Sequence, residues 1–119
     1  SIGKNNFKSM KINNEKLTIV ENNFTWIDSL ANYGTGFCYG SILNDNDNIT
    51  LNNFCEFTDG NENKFWSKAQ RVSSNLESGL GKQQFLKASD KYKFLLEKDC
   101  KYAVSFFHEI NFLLELKCK

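Results

Sequence analysis

The stretch DKYKFLLEKDCKYAVSFFHEINFLLELKC, residues 90–118, alternates apolar and polar residues in three short segments. A period of two is typical of β-strands that bury one face. The apolar faces are Tyr92, Phe94 and Leu96 in the first segment, Tyr102, Val104 and Phe106 in the second, and Phe112, Leu114 and Leu116 in the third. The stretch therefore predicts three antiparallel strands.

The register of the last two segments follows from a turn at residues 108–110. Folding the third segment onto the second pairs Phe106 with Phe112, Val104 with Leu114, and Tyr102 with Leu116. The next pair outward is Cys100 with Cys118. Directly opposed residues of a non-hydrogen-bonded pair lie about 4.5 Å apart at Cα, which a disulfide tolerates. We therefore predict a Cys100–Cys118 disulfide.

The other two cysteines give a second hairpin by the same reasoning. Placing Cys38 opposite Cys55 pairs Gly40 with Asn53, Ile42 with Leu51, and Asn44 with Ile49, and leaves the turn-forming residues 45–48. Two disulfides, Cys38–Cys55 and Cys100–Cys118, predict an extracellular or cell-surface location. Four free thiols in a cytosolic protein are the alternative, and zinc is disfavoured because the chain has no CxxC motif.

Composition predicts one soluble domain over residues 1–119. The chain is 40% apolar and 24% charged, as ordinary globular proteins are, and its net charge of +1 argues against a nucleic-acid partner. We expect no membrane span, because no apolar run approaches about 20 residues. No signal peptide is visible, so we expect either that a leader was removed or that the domain was cut from a larger secreted or surface protein.

About ten short strands separated by turn residues predict an all-β fold, a two-sheet antiparallel β-sandwich. Residues 65–76 are ambiguous, because Trp66, Ala69, Val72 and Leu76 also have helical spacing. We favour a strand there. Trp26 and Trp66 could stack on sugars, but tryptophan in a small all-β domain is more often part of the core.

The segment Ile42–Leu51 resembles the galectin pattern of an apolar strand, an acidic turn and a "DIALHF"-type strand. Residues 71–75 resemble the galectin "VVxN" strand, residues 80–84 stand where galectins carry "WGxEE", and residues 92–116 resemble the last three strands of the family. The resemblance spans about residues 36–117. It implies a galectin-like jelly roll whose concave sheet holds a β-galactoside.

The sugar-binding residues of the family are mostly replaced in this chain. Asn52, Phe54 and Glu56 stand at the positions of the family's His, Asn and Arg. Leu80 replaces the stacking Trp, Gln83 replaces the Glu, and Asn75 alone matches. Galactose recognition needs an aromatic face and planar charged donors. The resemblance therefore does not imply lactose binding in the manner of the family.

The predicted register places a candidate binding surface on the concave sheet. Its residues are Tyr39, Ser41, Asn52, Phe54, Glu56, Arg71 and Asn75. Tyr39 and Phe54 would be neighbours across two strands, and exposed aromatic residues with a few polar groups are typical of a binding surface. The alternative is that a loop or another segment covers them.

We therefore predict a non-enzymatic recognition domain that binds a protein partner or cell-surface receptor in an adhesion or receptor-binding assembly. A lectin with altered specificity, for which the partner is a glycan, is the alternative. No cofactor is expected. The single histidine supports no Ser/His/Asp or Cys/His arrangement, and cysteines in disulfides are not nucleophiles. The acidic turn at residues 45–48 has a trace of a calcium loop, but the segment is better interpreted as a hairpin.

Overall fold

A computed structural model describes residues 1–45, 48–73, 78–107 and 111–119. The chain forms eight antiparallel strands and one short helix in its described part. They are β1 (Ile2–Ile12), β2 (Glu15–Ile27), β3 (Tyr33–Asn44), β4 (Ile49–Asp59), β5 (Lys64–Ser73), β6 (Ser78–Ala88), a 3₁₀ helix (Asp90–Glu97), β7 (Cys100–Phe107) and β8 (Asn111–Cys118). Each strand pairs with the next along the chain.

The sheet closes into a barrel because β1 also pairs with β8. The closing register is Ile2 with Leu113, Gly3 with Phe112, and Lys4 with Asn111. The amino group of Ser1 extends the closure by donating to the carbonyl oxygen of Leu114 at 2.7 Å. The predicted two-sheet sandwich is therefore wrong. Apolar and polar residues alternate along the strands of a sandwich and of a barrel alike. Only the pairing of the first strand with the last distinguishes the two folds.

Both predicted cysteine hairpins are confirmed. Cys38 pairs with Cys55 and Cys100 with Cys118, and each pair forms a disulfide. The predicted partners of Phe106, Val104 and Tyr102 on the last strand are the observed ones. The strand prediction for residues 65–76 is also confirmed as far as Ser73. Leu76 lies outside the described residues.

The first segment of the opening stretch is not a strand. Residues 90–97 form the 3₁₀ helix, which buries Tyr92 to 1% exposure and leaves Phe94 and Leu96 exposed. A period of two and the three-residue turn of a 3₁₀ helix differ little over so few residues. The ring of Tyr92 packs on Phe65 at 4.6 Å between centroids, so the helix covers one end of the barrel.

Two hairpin loops at that same end share one turn motif. Asp28 accepts hydrogen bonds from the backbone N–H groups of Leu30 and Asn32, and Asp59 accepts them from Asn61 and Asn63, all at 2.8–2.9 Å. The third residue after each aspartate has a positive φ, 63° at Ala31 and 66° at Glu62. A carboxylate that holds the N–H groups of its own loop stabilises such a turn.

Candidate ligand cavity

The covered end of the barrel is filled by aromatic side chains, which we call the aromatic floor: Phe24, Trp26, Phe57, Phe65 and Tyr92. Phe57 and Phe65 stack with their centroids 4.5 Å apart, and Trp26 meets Phe65 edge-on at 5.3 Å. Offset-stacked and edge-on pairs are the favourable ring geometries. The floor is therefore a packed core that closes the barrel at this end.

One buried carboxylate ties the aromatic floor to its loop. The hydroxyl of Tyr92 donates to Oδ2 of Asp59 at 2.7 Å, and Lys91 Nζ lies 3.1 Å from the same oxygen. Burial opposes ionisation of Asp59, but the hydrogen bonds from Tyr92, from the backbone of Asn63 and Asn61 and from Lys91 outweigh it, and its pKa lies well below the usual range. Burial and the neighbouring carboxylate raise the pKa of Tyr92. Every group of this cluster therefore has a partner.

The barrel interior holds a cavity of about 910 Å³, and the aromatic floor is part of its lining. Its walls include Val20, Ile42, Ala69, Val104 and Leu114. Ligand sites typically have volumes of 300–1,000 Å³, are mainly apolar and carry a few placed polar groups. Barrels of eight strands are just wide enough to hold one small ligand.

The buried polar atoms on the cavity wall that have no hydrogen-bond partner among the described residues include Asn22 Oδ1, Asn53 Oδ1 and the hydroxyl of Tyr102. We call these three side chains the polar band. Asn22 is 8% exposed and Tyr102 is 4% exposed. Buried polar groups nearly always have partners, and an unsatisfied one costs about 1–3 kcal/mol. Such atoms on a cavity wall are suited to contact a ligand.

Two glycines make room for the polar band. A Cβ at Gly40 would lie 2.4 Å from Asn53 Oδ1, so the amide lies over the bare backbone of the neighbouring strand. A Cβ at Gly81 would lie 2.3 Å from the ring of Tyr102, which lies flat over that residue. Any side chain at either glycine would displace a group of the polar band.

Two other polar side chains of the wall interact within the protein. Gln83 donates to the hydroxyl of Ser67 at 2.9 Å, and Arg71 also has an interaction of its own. Burial raises the pKa of Tyr102, and the charge of Arg71 opposes this only in part. The phenol of Tyr102 is therefore protonated at neutral pH and able to donate a hydrogen bond.

The disulfide Cys38–Cys55 belongs to the wall beside the polar band. Cys38 is opposite Asn22 on one side and Cys55 on the other, and Asn53 is two residues from Cys55 on the same face. The disulfide therefore joins β3 to β4, and the two asparagines lie on the strands to either side of Cys38.

No described helix is long and apolar enough to cross a membrane.

Part of the sequence-predicted surface lies on the outside of the barrel. Tyr39 and Phe54 are opposed, as predicted, and are 59% and 52% exposed. Ser41 is opposite Asn52, two residues further along the same two strands. Because the sheet is a closed barrel, Tyr39 and Phe54 lie on its convex outer face, whereas Ser41 and Asn52 are half-buried and are among the residues that line the cavity.

Glu56 and Arg71, two further predicted site residues, have different surroundings. Glu56 accepts a hydrogen bond from Trp66 Nε1 at 3.0 Å and pairs with Lys64 at 3.2 Å. Arg71 is 4% exposed and lines the cavity, so its predicted place on the outer surface is wrong. It is opposite the inward-facing Leu51, and opposed residues share a face. Asn75 lies outside the described residues.

Sequence reasoning missed the polar band, although a signal for part of it was present. The predicted hairpin places Asn53 opposite Gly40 and two residues from Cys55, and alternation along the strand puts Asn53 on the same face as that disulfide-bonded cysteine. Asn22 stands between Val20 and Phe24 on an otherwise apolar face. In a chain with sixteen asparagines neither residue is conspicuous.

Among the described residues, no group of three or more His, Cys, Asp or Glu side chains is placed to hold a metal ion. Comparisons with protein-family models, with curated proteins and with solved structures each give no significant match. The resemblance to galectins stays a prediction, and the function is argued from the geometry of the barrel.

Proposed function

We propose that this protein is a non-enzymatic binding domain that holds a small, mainly apolar molecule inside its barrel. The observation that carries the proposal is the cavity of about 910 Å³ with unpartnered polar atoms on its wall. A cavity of this size removes a small ligand from water, and each buried Å² of apolar surface contributes about 25 cal/mol before the costs of binding. Both disulfides are compatible with a place outside the cell or at its surface, which we include in the proposal.

The test is titration with N-phenylnaphthylamine, a neutral apolar dye whose fluorescence rises in dry sites. We expect saturable binding of one dye per barrel. Ala69 lines the cavity and its neighbour Gln70 faces solvent, so the two positions form a matched pair. Ala69→Trp should fill the cavity and weaken dye binding at least about tenfold, whereas Gln70→Trp should bind as the parent does.

Two results would overturn this proposal. One is the absence of saturable dye binding to the folded parent protein. The other is unchanged binding in a folded Ala69→Trp variant. Because a large residue in a packed interior can prevent folding, Ala69→Leu serves as a second, smaller obstruction, and near-ultraviolet circular dichroism checks both variants.

A second candidate function is recognition of a protein or receptor through the outer face. It is supported by the exposed ring pair of Tyr39 and Phe54, with Phe37 5.4 Å from Tyr39 and Lys68 Nζ 5.6 Å from the ring of Phe54. Aromatic side chains are enriched at protein interfaces. A glycan in place of a protein is the alternative on this surface.

Binding of labelled protein to intact cells, measured by flow cytometry, tests this second candidate. Phe54→Ala should lower binding, whereas Leu80→Ala, which removes a still more exposed apolar side chain elsewhere, should not. Excess free sugars should have no effect if the partner is a protein and should abolish binding if it is a glycan. Equal binding of the parent and Phe54→Ala would rule out this surface.

A further inference from the structure

We infer, building on the proposed interior site, that the ligand is a neutral alcohol: an apolar body carrying a hydroxyl group that contacts the polar band. The cavity wall presents two amide oxygens and a phenol, and these groups define the chemistry that a ligand must bring. The aromatic floor and the aliphatic walls accept the apolar body, so the hydroxyl is the part that fixes its position.

The two asparagine oxygens call for a hydrogen-bond donor. Asn22 Oδ1 and Asn53 Oδ1 are carbonyl oxygens, which only accept hydrogen bonds, and each is buried without a donor among the described residues. An alkane or an ether inside the barrel would leave both unsatisfied. A ligand O–H supplies the missing donor, and this hydrogen bond offsets the free-energy cost of desolvating the oxygen that it contacts.

Tyr102 supplies a hydrogen-bond donor to the ligand. Its phenol is protonated at neutral pH and can donate to an oxygen of the ligand. The pairing Asn53–Ala69–Gln83–Cys100 leads across the sheet to the strand of Tyr102, which stands two residues beyond Cys100. Asn53 and Tyr102 therefore lie three strands apart around the barrel, about 14 Å along the sheet, and are offset by about 7 Å along the strand direction, so they contact different parts of an elongated ligand.

A carboxylate ligand fits the cavity less well than an alcohol does. Arg71 is a buried cation on the cavity wall and already has an interaction within the protein, whereas Lys98 and Lys117 on the same lining are exposed to water. A carboxylate would turn acceptor oxygens toward the two asparagine oxygens, which are acceptors too. It would also lose its hydration on entering an apolar cavity, which costs far more than burying a neutral hydroxyl does.

Displacement of N-phenylnaphthylamine by three ligands of equal length tests the inference. Decanol and nonyl methyl ether are isomers, but only decanol can donate a hydrogen bond, and decanoate is the anionic counterpart. We expect decanol to bind about 3- to 10-fold more tightly than the ether, which is the range of one net hydrogen bond. Decanoate should bind more weakly than decanol.

Variants locate the preference on the polar band. Asn53→Leu and Asn22→Leu each remove one acceptor with little change of volume, and each should reduce the ratio of decanol to ether affinity toward one. Tyr102→Phe removes a donor that both ligand oxygens can accept, so it should weaken both ligands alike. Asn23→Leu is the matched control, because this asparagine is exposed and is the direct neighbour of the inward-facing Asn22 on β2. That variant should keep the preference of the parent protein.

The possible outcomes separate this inference from the proposed function. If all three ligands displace the dye but the ether equals decanol, or decanoate binds most tightly, the alcohol inference is overturned and the interior site stands. If neither Asn53→Leu nor Asn22→Leu changes the ratio while both remain folded, the inference is overturned as well. If the dye itself does not bind, the proposed interior site and the inference fail together.

Discussion

The aromatic floor and the polar band are two regions of one barrel interior that treat their buried polar atoms in opposite ways. At the floor, Asp59 accepts hydrogen bonds from Tyr92, Lys91 and two backbone N–H groups, and rings fill the remaining space. In the polar band, Asn22 and Asn53 keep unpartnered oxygens beside open space. From this difference we propose that the hydrogen-bonded floor mainly stabilises the barrel and that the polar band supplies the polar contacts to a ligand.

The two tyrosines make the comparison sharpest. Tyr92 and Tyr102 are both almost fully buried, yet only the hydroxyl of Tyr92 has a hydrogen-bond partner among the described residues. Natural proteins often retain unsatisfied groups where function requires them, at a cost in stability. We therefore expect substitutions at the floor to change unfolding and substitutions in the polar band to change ligand binding.

The largest effect is expected at Asp59. Asp59→Ala removes the acceptor shared by the hydroxyl of Tyr92, Lys91 and the loop backbone, and loss of one partner of a buried charged network costs about 3–5 kcal/mol. Urea unfolding at pH 7 measures the change. Lys91→Met removes only a half-exposed partner and should cost less than about 1 kcal/mol. Equal losses in the two variants would contradict the role given to the carboxylate.

The pH dependence of stability should follow the same cluster. The folded-state pKa of Asp59 lies below its unfolded value of about 3.9, so its contribution is present above about pH 4 and is lost as the pH falls further. The pKa of Tyr92 is raised, so its contribution is lost as the pH rises above about 10. Melting temperatures between pH 2 and 11 measure the loss of stability at both ends of the range. In Asp59→Asn the melting temperature should fall less steeply below about pH 4, which we call the acidic limb of the curve. An unchanged acidic limb in that variant would contradict this account.

A smaller effect of opposite sign is expected in the polar band. Asn53→Leu replaces an unsatisfied buried amide by an apolar side chain of similar size, so it should stabilise the ligand-free protein by about 1 kcal/mol. Urea unfolding without ligand measures it, and Asn23→Leu at an exposed position of β2 is the control. A loss of more than about 1 kcal/mol at Asn53 would mean that this amide contributes to the fold.

The sequence was most informative where pairing is local. The cysteines and the alternation of apolar residues determined both disulfides and two hairpin registers, because a slip by one residue would turn every apolar side chain to the wrong face. Closure of the barrel was not predictable in this way. It depends on Ile2–Lys4 pairing with Asn111–Leu113, a contact between the two ends of the chain that leaves no local pattern.

The site was harder to predict than the fold for a physical reason. Tyr39 and Phe54 stand out in the sequence because exposed rings are unusual, and the structure leaves them exposed. The side chains that line the cavity look ordinary, because an inward Asn becomes noteworthy only when its hydrogen bonds can be counted. Arg71 was placed on the wrong face because the register of β4 and β5 was not available from the turn between them.

The central claim is that the floor stabilises and the polar band binds, and paired removal of the two buried hydroxyls tests it most directly. Tyr92→Phe and Tyr102→Phe each delete one oxygen, and both variants are measured for urea unfolding and for decanol affinity. We predict that Tyr92→Phe loses about 2 kcal/mol of stability with unchanged affinity, and that Tyr102→Phe keeps its stability with several-fold weaker affinity. Equal effects of the two variants on both measurements would contradict the account.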